Sequence, residues 1–258
     1  MKMISICNKK GVVGKTTLCK NIAYKLALEN KKVLLIDLDP QATITMQVNN
    51  DVKNDKCILD IIASKSAVKL IKIINLIERT KYKNIDIIMA NEELNKISAT
   101  INATYSEKEK YLLSDIIYQN NQEIFENYDY VLIDYPPTIN ELSVSFLMLS
   151  DVIIVPINEG LNSIKGLMDL QNTLNHFCRE KQKNIPNIKI LLNGIKEGKN
   201  LKQILNLLNE KKLNNLSKSK ISYSETFKTI ENNLNSIWTN PYYWRQKQAY
   251  EELIAEII

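Results

Sequence analysis

Nine residues constrain this 258-residue chain more than any other stretch: Lys9-Lys10-Gly11-Val12-Val13-Gly14-Lys15-Thr16-Thr17. They follow an apolar run, residues 3–7, that reads as a strand. They precede residues 18–29, where Leu18, Ile22 and Leu26 recur at helical spacing. Strand, glycine-bearing loop and helix in that order make an anion cradle, because loop N–H groups and a helix N-terminus converge as partial positive charge. Gly14-Lys15-Thr16 at the helix entry assigns the chemistry: Lys15 to the β- and γ-phosphates of a nucleotide, the Thr16 hydroxyl to Mg²⁺. A lysine-rich turn between a buried strand and a helix does not explain why those three residues fall together there.

Two further segments end apolar runs in carboxylates. Val33-Leu34-Leu35-Ile36-Asp37-Leu38-Asp39-Pro40-Gln41-Ala42 is one, and Tyr128-Asp129-Tyr130-Val131-Leu132-Ile133-Asp134-Tyr135-Pro136-Pro137 is the other. Continuous apolar runs of this kind suit parallel strands buried on both faces, and α/β sheets place ligands at the carboxyl ends of such strands. Asp134 is a candidate for holding Mg²⁺ through water, whereas Asp37 and Asp39 also read as acids that close the turn after their strand. Pro136 and Pro137 fix the backbone beyond Asp134. Strands are expected at 2–7, 32–38, 86–90, 130–134, 152–156 and 189–193. Helices are expected at 17–29, 57–79, 92–104, 107–126, 139–149, 162–181 and 200–212. Such alternation implies an α/β fold, a mostly parallel twisted sheet with helices on both faces, organised as a single domain over 1–258.

The three segments together resemble the ParA/MinD/Soj ATPases. Lys10-Gly11-x-Val13-Gly14-Lys15-Thr16-Thr17 resembles their deviant Walker A loop, Lys-Gly-Gly-x-Gly-Lys-Thr/Ser. Asp37-x-Asp39-Pro40-Gln41 resembles Walker A′, and Asp134-x-Pro136-Pro137 Walker B. Ser163, Gly166 and the run Ala249-Tyr250-Glu251-Glu252-Leu253 also track the family. The resemblance implies a P-loop ATPase of the ParA/Soj partition type that uses ATP and Mg²⁺. Its catalytic residues would be Lys10, Lys15 and Asp39, with Lys10 reaching the partner's nucleotide in a homodimer formed in the ATP state, and Asp39 orienting the attacking water. The ATP-binding set would be Lys10, Gly11, Val12, Val13, Gly14, Lys15, Thr16 and Thr17. Asn193 matches a family asparagine set against adenine, and reads equally as a turn residue before Gly194. Thr16 and Asp134 would hold the metal. The chain departs from the family at Val12, where the pattern has glycine. A β-branched residue there strains a φ > 0 turn or crowds the partner, so weaker dimerisation or turnover than Val12→Gly is expected. A relaxed natural variant, a degenerate ATPase and a lock that binds nucleotide but dimerises poorly all fit that departure.

The formal charge is +5, which favours polyanions. Basic residues gather late in the chain: Lys196, Lys199, Lys202, Lys218, Lys220, Arg245 and Lys247 are the DNA candidates, with Lys211, Lys212 and Lys228 nearby. Phosphate contacts of this kind give salt-sensitive binding without base readout, as the resemblance also implies. Tyr242, Tyr243 and Trp244 read better as packing for the last helix than as base-stacking groups. A ParB-type centromere-binding partner follows from the resemblance, as does a nucleoid-associated, cytoplasmic location, with no helix-turn-helix domain before the loop. No apolar run reaches the about 20 residues of a membrane span. The acidic face of residues 250–258 argues against a MinD-like, membrane-cycling alternative. The four cysteines make no C-x-x-C pair and are expected as reduced thiols. No cysteine lies between Tyr135 and Leu149, against an iron–sulfur ATPase. An amidoligase relative remains open, marked by absence of DNA binding.

Overall fold

Eight strands build one sheet among the residues that the computed structural model describes, 1–49, 56–225 and 236–258. They are β1 (Lys2–Ile6), β2 (Val33–Asp37), β3 (Ile77–Arg79), β4 (Ile85–Ile88), β5 (Tyr130–Asp134), β6 (Val152–Ile157), β7 (Asn187–Ile195) and β8 (Leu216–Ser222). Their spatial order is β3-β4-β2-β5-β1-β6-β7-β8. Every neighbouring pair is parallel except the edge pair β3 and β4. From β1 the chain builds toward β2 and β4 on one side and toward β6, β7 and β8 on the other. The carboxyl end of β1 is therefore a topological switch point, where open α/β sheets bind ligands.

Helices α1 (Lys15–Leu28), α2 (Thr43–Val48), α3 (Ile58–Ile62), α4 (Ala67–Leu70), α5 (Ile97–Thr104), α6 (Leu113–Asn120), α7 (Gln122–Phe125), α8 (Glu141–Leu149), α9 (Leu161–Glu180), α10 (Lys199–Glu210) and α11 (Trp244–Ile257) cover the sheet. Side chains alternate along each strand. Leu34 and Ile36 of β2 join one apolar cluster with Leu142, Phe146, Leu167 and Leu170 of α8 and α9. Val33 and Leu35 join the other, with Leu18, Ile22 and Leu26 of α1 and Leu253 of α11. This doubly covered, mostly parallel sheet is the fold class read from the sequence.

Three local readings fail, each for a physical reason. Residues 57–79 do not form one helix but α3, α4, a 3₁₀ turn at Ile73–Asn75 and strand β3. Ser64 Oγ accepts the Ala67 N–H at 3.0 Å and restarts the chain there. Asn121 Oδ1 takes the Ile73 N–H at 2.8 Å, an alternative to helix bonding. The same Asn121 divides the expected 107–126 helix into α6 and α7. The sequence does not show strand β8, because two of its three buried positions are Ser217 and Ser219, with Ile221 the one large apolar group. They are buried under α11, where Ser219 Oγ donates to the Ala249 carbonyl at 2.6 Å. Helix α2 also went unread.

Candidate nucleotide site

Residues 8–14 carry the chain from β1 to the first turn of α1. Gly14, the residue before α1, has φ +83°, and a Cβ there would lie 2.5 Å from Asn193 Nδ2. Both facts demand glycine. Lys15 is buried, and its Nζ donates across the loop to the Lys10 carbonyl at 3.3 Å. Val12 has φ +56° and is 97% exposed. The left-handed conformation expected of a glycine at this position is thus imposed on a β-branched residue, whose side chain projects into solvent. That conformation is an outlier for valine. Lys10 is exposed and its ammonium has no partner among the described residues, whereas the Lys9 Nζ donates to Thr173 Oγ1 at 2.9 Å.

The carboxylates meet beside this loop. Asp37 and Asp134 are register partners on β2 and β5, and both are fully buried. Thr16 Oγ1 donates to Asp134 Oδ2 at 2.7 Å, while Asp134 Oδ1 is buried without a hydrogen-bond partner. Burial pushes the Asp134 carboxyl upward, the neighbouring Asp37 pushes the same way, and the Thr16 bond and Lys15 oppose them. Burial likewise raises Asp37, against bonds from Thr45 and the Asp39 N–H. Asp37 is a structural acid: it accepts from Asp39 N at 3.0 Å and from Thr45 Oγ1 at 2.7 Å, closing the turn that aims Asp39. Asp39, half-buried, accepts from Gln41 N at 2.9 Å. An orphaned carboxylate oxygen next to a threonine hydroxyl and a buried lysine fits a metal-bound polyphosphate, since the carboxylate and hydroxyl oxygens would then face a cation and the lysine an anion.

Asn193 Nδ2 donates to the Val13 carbonyl at 2.8 Å, so its amide nitrogen braces the loop. It also lines a cavity of about 290 Å³ with Gly14, Thr17, Asn158, Ser222, Tyr223 and Tyr250. Of these neighbours, Asn158, Ser222 and Tyr223 had no signal in the sequence. They reach the loop from β6 and β8, strands distant along the chain.

The seven basic candidates divide among three elements. Lys196, Lys199 and Lys202 are exposed from the end of β7 into the first turn of α10. Lys218 and Lys220 stand exposed on β8, Lys220 paired with Glu197. Arg245 is exposed and Lys247 half-buried in the first turn of α11. The Lys196 ammonium lies 4.2 Å over the Tyr223 ring. Lys228 lies outside the described residues. The packing role expected of the aromatic triplet holds only for Tyr243, which is buried. Tyr242 is 86% and Trp244 60% exposed, with the Arg245 guanidinium 5.2 Å over the Trp244 ring. Asn240 Oδ1 caps the 3₁₀ turn at Pro241–Tyr243 by accepting the Tyr242 N–H at 3.0 Å. All four cysteines are buried free thiols, and no described helix is long and apolar enough to cross a membrane.

A phosphate loop at the switch point of a parallel sheet, backed by a strand-end carboxylate on the helix-entry threonine, defines a P-loop nucleotide-binding protein. The family model described as an AAA domain matches residues 1–190. The sporulation initiation inhibitor protein Soj of Bacillus subtilis is 31% identical over 195 residues, 75% of this chain and 71% of that one. A virulence-plasmid ParA family protein of Chlamydia psittaci is 30% identical over 179 residues, 69% of this chain and 63% of the relative, so less than two thirds of that protein's length is matched. Among solved structures, a Borrelia burgdorferi protein assigned to plasmid partition and bound to AMPPNP superposes with a TM-score of 0.77. It is 25% identical, with 99% of each chain covered. The chain belongs to the ParA/Soj family of P-loop ATPases.

Proposed function

We propose that this chain is a partition ATPase that binds ATP with Mg²⁺, pairs with a second copy in that state, holds DNA through its basic surface and lets go on hydrolysis. The observation that carries the reading is the division between two lysines of one loop: Lys15 is buried inside it, while Lys10 stands at the rim with a free ammonium. Lys15, Thr16 and the N–H groups of residues 11–17 bind and orient the phosphates. Asp134 and Thr16 hold the metal, which supplies charge neutralisation on the phosphate oxygens when bound. Asp39, aimed by Asp37, orients the attacking water, and Lys10 of one copy reaches the terminal phosphate of the other. Asn193 and the cavity beside it take the base. The whole chain, 1–258, acts as one domain, in the cytoplasm on the nucleoid. A ParB-type centromere-binding partner stimulates hydrolysis.

DNA is favoured over a lipid surface by α11. Its apolar face, Tyr250, Leu253, Ile254 and Ile257, is buried, and Glu251 and Glu252 face outward. Fluorescence anisotropy on a random-sequence duplex, with ATP, ADP and no nucleotide, tests the reading. Binding is expected with ATP and is expected to fade as salt rises. Identical retention in all three nucleotide states removes it. Within that assay Lys199→Ala and Lys218→Ala each lower the slope of log affinity on log salt by about one. Lys220→Ala changes it less, because Glu197 already neutralises that ammonium.

Val12 bears on the strength of the dimer. Its left-handed backbone costs roughly 1–2 kcal/mol for a non-glycine residue, and its exposed side chain adds bulk at the loop rim. The backbone cost is already met in the lone chain and falls on folding, so it is the loss of that bulk by which Val12→Gly is expected to dimerise with ATP about ten-fold more tightly, or to turn over correspondingly faster. Sedimentation equilibrium and phosphate release measure both quantities. Equal dimer constants and equal rates in the two forms would rule the effect out.

A further inference from the structure

Lys9 and Lys10 are adjacent like charges, and the fold treats them differently. The Lys9 ammonium is tied to Thr173 on α9. The Lys10 side chain is free, but its main chain is fixed: its N–H donates to Asn8 Oδ1 at 2.9 Å. Asn8 is fully buried. Its amide donates to the Pro156 carbonyl in β6 at 2.9 Å and to the Ser163 carbonyl in the first turn of α9 at 3.2 Å. The Ser163 hydroxyl closes that turn by donating to the Gly160 carbonyl at 2.6 Å, with the Asn158 carbonyl at 3.1 Å as the alternative acceptor for its single proton. A weaker second strut runs alongside, from Asn158 Nδ2 to the Val12 carbonyl at 3.4 Å. Gly166 completes the seat. A Cβ at that position would lie 2.3 Å from Asn8 Oδ1 and 3.2 Å from the Lys10 nitrogen.

We infer that Asn8, seated on Gly166 of α9, is a positioning residue for Lys10. It holds the main chain of the lysine that acts across the dimer, and the turn between β6 and α9 is its rigid backing. This rests on the reading above that Lys10 serves the partner's nucleotide. A lysine is a point charge on a flexible four-carbon stem, so the placement of its backbone decides which volume the ammonium searches. A buried asparagine with both amide donors and its oxygen engaged has no alternative arrangement of equal energy. Ser163 and Gly166, which the sequence marks without assigning a task, find one here: the first supplies an acceptor for Asn8, and the second leaves the space that Asn8 fills.

The test uses full-length wild type, Asn8→Ala, Gly166→Ala, the double variant and Lys10→Ala. Three quantities are read: affinity of the dilute monomer for a fluorescent ATP analogue with Mg²⁺, the ATP-dependent dimer constant, and turnover at saturating ATP. Asn8→Ala and Gly166→Ala are expected to keep monomer affinity within about two-fold and to lose about ten-fold in turnover. Adding Gly166→Ala to Asn8→Ala is expected to cost less than the two single changes summed, because the oxygen at 2.3 Å is gone and only the 3.2 Å approach to the Lys10 nitrogen remains. Gly166→Ala leaves the asparagine in place, so it remains informative if Asn8→Ala does not fold. Lys10→Ala behaving as wild type overturns the reading of Lys10 itself. Lys10→Ala impaired, with Asn8→Ala or Gly166→Ala at wild-type turnover, overturns the positioning role alone. Parallel loss of monomer affinity and turnover in Asn8→Ala overturns it as well, since the whole loop is then at fault.

Discussion

Replacing Lys10 by alanine is expected to lower turnover by about 10³-fold while the monomer still binds Mg²⁺ and ATP. A cation brought to a transferring phosphoryl group from a second subunit stabilises charge that develops only in the transition state, so its removal acts on rate and not on ground-state binding. Lys10 meets the structural conditions for such a role. It is exposed and has no partner among the described residues, and its own carbonyl is held by Lys15. Lys9→Ala is the control, because that ammonium is engaged by Thr173. Phosphate release at saturating ATP, beside monomer affinity from a fluorescent analogue, separates the two quantities. A ten-fold or smaller change in turnover for Lys10→Ala would remove the trans role. Mixing Lys10→Ala with a Lys15→Ala chain sharpens the point. The intact Lys10 then sits opposite the only competent nucleotide, and activity is expected to recover in part.

The second large effect concerns Asp134. Two carboxylates lie side by side in the core, one with an oxygen that no group satisfies. Without metal and nucleotide that arrangement destabilises the fold. Asp134→Asn is expected to stabilise the ligand-free protein by about 2 kcal/mol, a rise in Tm of about 4–8 °C for a chain of this size. On the proposed reading the same substitution removes the metal's anchor. Saturating Mg²⁺ and ATP, which at a hundred times Kd would add about 2.7 kcal/mol to the wild type, are expected to add little to the variant. Scanning calorimetry with and without ligand reads both outcomes. The sign with pH follows from the upward direction of both carboxyls. The folded state holds protons that the unfolded chain releases near pH 4, so ligand-free stability falls as pH rises above that value. Asp134→Asn flattens the fall. A variant no more stable than wild type, with the ligand increment intact, would show that Asp134 neither strains the core nor holds the metal.

What could be read from the sequence was local. The run from residue 9 to residue 17 is a ligand pattern contained in one turn, and β2 and β5 announce themselves as unbroken apolar strands ending in acids. Even the departure at Val12 was legible, because a left-handed turn has a residue preference independent of the rest of the fold. What stayed hidden depends on pairs distant along the chain. Asn8 meets Pro156 and Ser163 across 148 and 155 positions, and nothing about a single asparagine marks it as a brace. Strand β8 escaped because serine fills two of its three buried positions, which leaves no apolar alternation to read. The exposure of Tyr242 and Trp244 on either side of buried Tyr243 follows from the 3₁₀ turn that leads into α11, which composition does not reveal.

Tyr135, the residue after Asp134, is fully buried, and its hydroxyl shares a hydrogen bond with Ser5 at 2.8 Å. Ser5 in turn bonds Ser150 at 2.6 Å, just beyond the end of α8. This chain of hydroxyls rivets the start of the segment beyond β5 to the middle of the sheet. Pro136 is buried behind it, and exposure begins at Pro137. In the proposed cycle, a response to loss of the terminal phosphate would then start beyond these hydrogen bonds rather than at the strand end. The part of the segment free of the core is the short stretch from Pro137 to Asn140, and the proposed release of a bound neighbour would have to be transmitted through those few residues.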